Sequence, residues 1–293
     1  MFSIDKSNGF CDLHTHSIFS DGTISPQKII KLAEKKNIRA VALCDHNTVA
    51  GISEFLAAGE NSSTYAVAGI EISSEYIGKE LHIVGLFVDA FRICELDEFV
   101  SQINKNKEQA NIHLAARLCD AGYFVDYEKI KKDAGSITPN RVYFANELIK
   151  GGYISTIKEG FKTLLSEKNG FYVPPQRIDA FDAIEFLSSI GALPILAHPL
   201  LNLTEQELRV FLSPAKQKGL VAIETIYSLF SDEEICLLEQ IADEFGLLKS
   251  GGSDFHGENK PDIELGTGKG NLRVPFEYFT ALQNAKNSLK NKN

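Results

Sequence analysis

The chain has 293 residues, 44% of them hydrophobic, enough for one large core or for a main domain with a smaller companion. Its formal net charge of −9 argues against a protein that grips long nucleic acid through a general basic face, while a short nucleotide in a local pocket stays allowed. Cys11, Cys44, Cys94, Cys119 and Cys236 stand far apart in an odd total without a Cys-x-x-Cys pair, the pattern of reduced thiols rather than of a disulfide framework. With no basic-then-apolar leader and no run near the roughly 20 apolar residues that span a bilayer, the expectation is a soluble, cytoplasmic protein with no membrane partner.

In chain order, a first strand ends at His14 and His16. Ser25 as N-cap, Pro26 at the first helical position and the apolar stripe Ile29, Leu32 and Ala33 predict a helix that stops near Asn37. Strand-like apolar runs follow at Arg39 to Cys44, Tyr65 to Ile70 and Leu81 to Val88. Between Phe99 and Tyr172 the strand signal gives way to helical patterns, such as Asn104 to Asp120 and Val142 to Lys150. Strands resume at Leu193 to Ala197, Leu220 to Ile223 and Leu247 to Lys249, and the tail from Lys286 to Asn293 reads as a frayed polar end. Such alternation predicts an α/β fold of parallel strands with crossover helices. A barrel-like domain of residues 1–98 and 173–293 would then carry a small inserted helical cap of residues 99–172.

The histidines carry the functional signal. His14, His16, His46, His82, His198 and His256 all fall in or just after predicted strands, beside carboxylates, and the strand C-termini of a parallel barrel share one mouth. His14 and His16 are two apart, so both side chains project to one side and can chelate one ion; Asp254 and His256 repeat that spacing. Asp21 follows in a turn, His46 comes directly after one strand and Glu71 after the next. A charged or imidazole group ending an apolar strand needs a partner for its polar atoms, and a metal supplies one. Mixed imidazole and carboxylate ligands suit manganese, zinc or iron rather than an all-oxygen cage. Asp45 reads equally as a strand-end cap or as a carboxylate orienting a ligand histidine. Glu224 reads as a supporting group.

The ordered set DLHTHSIFSDGTISP, CDHNTVAG, GIEIS, ELHIVGL, LAHP and GSDFHG resembles the polymerase and histidinol phosphatase (PHP) family, from Cys11 to His256. That resemblance implies a distorted (β/α)7 barrel and a metal-dependent phosphatase acting on a phosphate monoester, with two or three divalent ions at the C-terminal mouth. It would place His14, His16, Glu71 and Asp254 on one ion, Glu71, His82 and His198 on a second, and Asp21, His46 and His256 on a third. Such ions would lower the pKa of water toward neutrality and so supply a nucleophile for in-line attack on phosphorus.

The stretch Thr138 to Leu148 resembles the subgroup whose helical cap places an arginine on the substrate phosphate, which nominates Arg141 as a bidentate clamp and implies a small nucleotide, a monophosphate or 3′,5′-bisphosphate. Where that subgroup often carries Gly-Arg-x-His, this chain has Asn140-Arg141-Val142-Tyr143. Tyr143 and Phe144 are candidates to stack on a base. The alternatives are histidinol phosphate as substrate, a 5′-3′ exonuclease for short oligonucleotides, a non-catalytic metal-binding module, and a C–N hydrolase that also opens with His-x-His.

Overall fold

The computed structural model describes residues 9–135, 137–168 and 170–290. The first eight residues, where a leader would begin, and the last three of the tail therefore lie outside the described residues. Strand β1 (Phe10–Thr15) leads to helix α1 (Pro26–Lys35), β2 (Ile38–Leu43), α2 (Ile52–Gly59), β3 (Tyr65–Tyr76) and β4 (Lys79–Leu86). Helices α3 (Ile93–Asp120), α4 (Tyr127–Ala134), α5 (Arg141–Lys150) and α6 (Ile157–Lys162) come next. Then follow β5 (Ile178–Asp179), α7 (Ala180–Ser189), β6 (Leu193–Leu196), α8 (Glu205–Gln217), β7 (Ala222–Tyr227), α9 (Asp232–Phe245), β8 (Leu248–Gly252), β9 (Val274–Pro275) and α10 (Phe276–Lys290).

Local sequence accounts for the element ends. The Ser25 side chain accepts from Lys28 N and Pro26 opens α1, while Thr204 with Glu207 and Ser231 with Glu234 form capping boxes on α8 and α9. Gly246 closes α9 in the left-handed conformation that a residue without Cβ adopts freely.

The strands form one sheet in the order β8-β7-β6-β4-β3-β2-β1-β9. An extra bridge, Thr15 to Phe255, brings the chain beyond β8 alongside β1, so the seven strands from β1 round to β8 form a nearly closed barrel. One core gathers Cys11, Leu13, Ala40, Ala42 and Cys44 with Phe279 and Leu282 of α10. A second packs Val41 and Leu43 against Ile29, Ile30 and Ala33 of α1 and Phe55 of α2. The alternation of β2 therefore feeds two apolar layers, which is why it reads as a continuous hydrophobic run.

The expectation of parallel strands throughout needs correcting at the two-residue β9, which pairs antiparallel with β1, and more consequentially at β4. β4 pairs antiparallel with both β3 and β6. Its cause is local: only Ile77 and Gly78 separate β3 from β4, both have positive φ (47° and 74°), and such a two-residue loop can only join antiparallel strands. Lys286, assigned above to a frayed tail, is instead buried within α10, donating to Asp89 Oδ2 and Gly191 O at 2.7 Å each.

Two compact units emerge, one of residues up to Glu98 together with Ile178 onward, the other of Phe99 to Arg177. The second has its own core, in which Leu114, Leu118, Ile130, Phe144, Leu148 and Leu165 are buried together. Phe144 is fully buried in that core, so the expectation that it stacks on a base is wrong: the insert needs its ring to hold α5 against α4.

At the barrel seam, β8 passes so near β1 that a Cβ on Gly252 would lie 2.5 Å from both Cβ and N of His14. Gly252→Ala is expected to lower the unfolding free energy by about 1–3 kcal/mol, the usual cost of overpacking, as read from urea denaturation.

Candidate metal centre

Each candidate side chain is delivered by a strand or by the turn that leaves it. Beyond β1, His16 N donates to Phe255 O and Asp254 N donates to His14 O, both at 2.9 Å, which sets His14 and His16 beside Asp254 and His256. Beyond β2, Glu71 N donates to Asp45 O at 3.2 Å and Asn47 N to Glu71 O at 2.9 Å, so His46 bridges to Glu71. Glu71 itself lies inside β3 rather than after it, where β3 outruns its pairing with β2. His82 is the fourth residue of β4, and because β4 runs antiparallel, its beginning reaches the mouth where its neighbours end. Ala197 N donates to His82 O at 3.0 Å, bringing His198 alongside.

All nine candidates of the barrel, His14, His16, Asp21, His46, Glu71, His82, His198, Asp254 and His256, come together. Glu71 is the hub. Its Oε1 lies 2.8 Å from His82 Nδ1 and 3.0 Å from His198 Nε2. Its Oε2 lies 3.1 Å from His14 Nε2, 3.2 Å from His16 Nε2 and 3.1 Å from His46 Nδ1. His16 Nε2 is also 3.2 Å from Asp254 Oδ1, and His256 Nε2 is 3.0 Å from Asp21 Oδ1. Four overlapping groups result, in each of which the ligand atoms lie within 4.8 Å of one another: His14, Glu71 and His198; His14, His16 and Asp254; His46, Glu71 and His82; His16, Asp21, His46 and His256.

The support around these groups is specific. His14 Nδ1 and Glu224 Oε1 are 2.7 Å apart, and Glu224 Oε2 accepts from His198 N at 2.8 Å. His256 Nδ1 faces the Asp254 carbonyl at 2.8 Å. With these protons on Nδ1, the Nε2 lone pairs of His14 and His256 are left for a ligand role, the arrangement that orients metal-bound imidazoles. Asp45 accepts from Ser17 N and Ser17 Oγ at 2.7 Å each and from Ser20 Oγ at 2.6 Å. It thus braces the turn after His16 and reaches that histidine only through Ser20, whose Oγ lies 3.4 Å from His16 Nδ1.

Other partners escaped the sequence reading. Asp12 accepts from Ser253 N at 2.8 Å, Ser253 Oγ at 2.5 Å and Gly266 N at 2.7 Å. Tyr227 OH and Lys260 Nζ donate to Asp254 Oδ2 at 2.8 and 2.6 Å. Asp12 had a signal, sharing the period of two with His14 and His16; Tyr227 and Lys260 had none. His198 and Asp254 also hold positive φ, 28° and 56°, a strain of about 1–3 kcal/mol each that clusters at functional sites.

Four buried atoms, His14 Nε2, His16 Nε2, His46 Nδ1 and Glu71 Oε2, have no hydrogen-bond partner. They face one another around Glu71 Oε2 at the distances above, too poorly aligned to bond. A single such atom costs about 1–3 kcal/mol, so a mutually adjacent set is explained by cations that all four would ligate. The donor set fits divalent metal.

Without cations the site holds protons instead. Burial pushes His16 and His82 down, but the carboxylates outweigh it: Asp254 and Glu71 bring His16 up to about 9, and Glu71 and Glu80 bring His82 up to about 10. His14 likewise rises well above its ordinary value against burial, through Glu71 and Glu224. His46 goes the other way, pushed down to about 3 mainly by burial, and Glu71 stays far below the usual carboxylate range despite burial because imidazoles surround it.

Arg141 and Tyr143 belong to the other unit. Arg141 stacks over the rings of Tyr172 and Phe161, 4.2 and 4.9 Å from their centroids, and its Nη1 donates to Leu165 O at 3.4 Å. Tyr143 is half-buried against the insert core.

Fold and site together define a metal-dependent hydrolase working from one mouth of an α/β barrel. A model of the PHP domain matches residues 12–144. A 5′-3′ exoribonuclease of Haemophilus influenzae is 32% identical over 247 residues, covering 84% of this chain and 89% of that protein. A 3′,5′-nucleoside bisphosphate phosphatase of Chromobacterium violaceum is 26% identical over 256 residues, covering 86% and 90%. A solved structure from Bifidobacterium adolescentis shares the fold, with a TM-score of 0.80 at 23% identity over 94% of this chain and 96% of that one. The chain belongs to the PHP-domain family, and the relatives above are enzymes that cleave phosphate esters. No helix among the described residues is long and apolar enough to cross a membrane.

The raised imidazoles set a pH dependence. His16 and His82 bind protons more tightly folded than at their ordinary 6.5, so metal-stripped protein has that stabilisation in full below pH 6.5 and loses it as pH climbs through about 9 and 10. Its melting temperature is expected to fall over that window, while added divalent metal, which competes with those protons, stabilises more as pH rises. Thermal melts with chelator and with manganese across pH 6 to 9.5 check both slopes.

Proposed function

We propose that the chain hydrolyses a phosphate ester of a small nucleotide, a 3′,5′-bisphosphate above all, using two or three divalent ions of manganese, zinc or iron. The observation that carries this reading is the knot of four unpartnered buried atoms around Glu71 Oε2. His14, His16, Glu71 and Asp254 would hold one ion, Glu71, His82 and His198 a second, and Asp21, His46 and His256 a third. Bound there, the ions would supply Lewis acidity that lowers the pKa of water and stabilises charge on phosphoryl oxygens. Glu224 fixes the ring of His14, Ser20 with Asp45 fixes that of His16, and Tyr227 with Lys260 holds Asp254. Asp21, with a side chain 26% exposed, and His46, 21%, stand where solvent and substrate enter. Five unpaired cysteines accord with a reducing, cytoplasmic setting.

The exoribonuclease relatives, at 32% identity in Haemophilus influenzae and in Escherichia coli, favour a second reading in the same chemistry, removal of nucleotides from the 5′ end of short single-stranded RNA. A nucleoside 3′,5′-bisphosphate is the smallest fragment that presents both phosphates of a 5′-phosphorylated RNA end, so one site can serve both. Comparing kcat/KM on 3′,5′-bisphosphoadenosine, AMP, histidinol phosphate, a short oligoribonucleotide and an amide panel tests the reading. A tenfold lead for histidinol phosphate, or hydrolysis of amides alone, would reject it.

Arg141 would clamp a substrate phosphate, its plane already set by the Tyr172 ring. Arg141→Ala is expected to cost about 1.5–3 kcal/mol in kcat/KM with metal content unchanged, the range of a charge-assisted hydrogen bond. Arg141→Lys should recover only part, since a compact ammonium lacks the rigid planar fork that matches two phosphate oxygens; full recovery would make the residue a mere charge.

A further inference from the structure

The net charge of −9 hides a partition. Residues 99–177 carry twelve Lys and Arg against eight Asp and Glu, whereas the rest of the chain has eighteen against thirty-one. The acidic balance therefore belongs to the barrel unit, and the helical insert is a cationic body. Two adjoining depressions lie in it.

The first, of about 520 Å³, runs between α3 and the segment 171–176. Asn106, Ala110, His113 and Arg117 line it from one face of α3, at the spacing of successive turns. Phe171, Val173, Pro174 and Pro175 supply an apolar opposite wall, held by a bond from Asn106 Nδ2 to Gln176 O at 3.0 Å. A second depression of about 440 Å³, lined by Lys105 and by Lys131 paired to Glu108 at 3.1 Å, adjoins it, for Gln109 lines both. The Arg117 side chain makes no ion pair or hydrogen bond among the described residues, whereas Arg92, Arg141 and Arg209 each lie beside an acid.

An aromatic and proline wall facing an unengaged guanidinium and imidazole suits one class of ligand, flat rings joined by phosphates. The alternation of stacking surface and cation is what single-stranded nucleic acid requires, and two adjoining depressions give room for more than one nucleotide. We propose that this groove of the insert binds single-stranded oligoribonucleotide, with bases against the Phe171 to Pro175 wall and a phosphate on Arg117. The proposal rests on the exonuclease reading for its biological sense, but the groove lies wholly within residues 99–177 and makes a separate claim about binding.

The test uses the full chain loaded with manganese and a fluorescein-labelled hexaadenylate with phosphorothioate linkages, read by fluorescence anisotropy. Arg117→Glu is expected to weaken binding roughly fivefold or more and to reduce the slope of log K against log salt by about 0.7, the signature of one lost phosphate contact. Lys158→Glu, the same charge change at an exposed position outside the groove, should stay within about twofold. Unlabelled hexaadenylate should displace the probe where inorganic polyphosphate of equal charge does not. Equal losses in the two variants, no loss in Arg117→Glu, or equal displacement by polyphosphate would each overturn the groove. Unmodified oligoribonucleotide that binds through Arg117 but is never cleaved would instead sink the exonuclease reading and leave the groove standing.

Discussion

One carboxylate organises the barrel mouth. Glu71 is 1% exposed, and its two oxygens meet nitrogens of five histidines that arrive from β1, β4 and the turns after β1, β2 and β6. Such a group cannot sit unpaired in a protein interior, so the fold around it must bring in either protons or metal. Both answers use the same side chains. Imidazoles drawn up toward 9 and 10 are the protonated form of a site whose other form binds cations, and competition between the two ties metal loading to pH.

The surroundings make sense as a frame for that carboxylate. The hairpin at Ile77 and Gly78 turns β4 around so that His82 meets Glu71 from the neighbouring strand. The close passage at Gly252 lets β8 reach β1, which sets Asp254 beside His16. Asp12, Asp45 and Glu224 are buried carboxylates one step further out, each spent on backbone amides, hydroxyls or a ring nitrogen. Positive φ at His198 and Asp254 shows local geometry yielding to the site.

Much of this was legible in the sequence because ligand-type residues at the ends of apolar runs are conspicuous. His14, His16, His46 and His256 could be found that way, and so could the barrel they close. The direction of β4 was missed because a run such as Leu81 to Val88 has the same hydrophobicity whichever way it points; only the two-residue loop before it distinguishes the cases. Tyr227 and Lys260 were missed because their relation to Asp254 exists only in three dimensions. Phe144 misled because an aromatic next to a candidate clamp looks alike whether it faces solvent or a core. Net charge was silent on the division between units, since a sum over the chain averages an acidic barrel unit with a cationic insert.

The central claim is that Glu71 is held in place for divalent cations. Metal content per chain, measured by mass spectrometry on wild-type and Glu71→Gln protein purified with manganese and then gel-filtered, addresses it directly. The amide keeps the shape of the side chain but removes its charge and half of its acceptor capacity. The account predicts at least two ions in the wild type and loss of most of them in the variant, with the fold retained by circular dichroism. Wild-type protein free of metal, or a variant that retains the full complement, would contradict it.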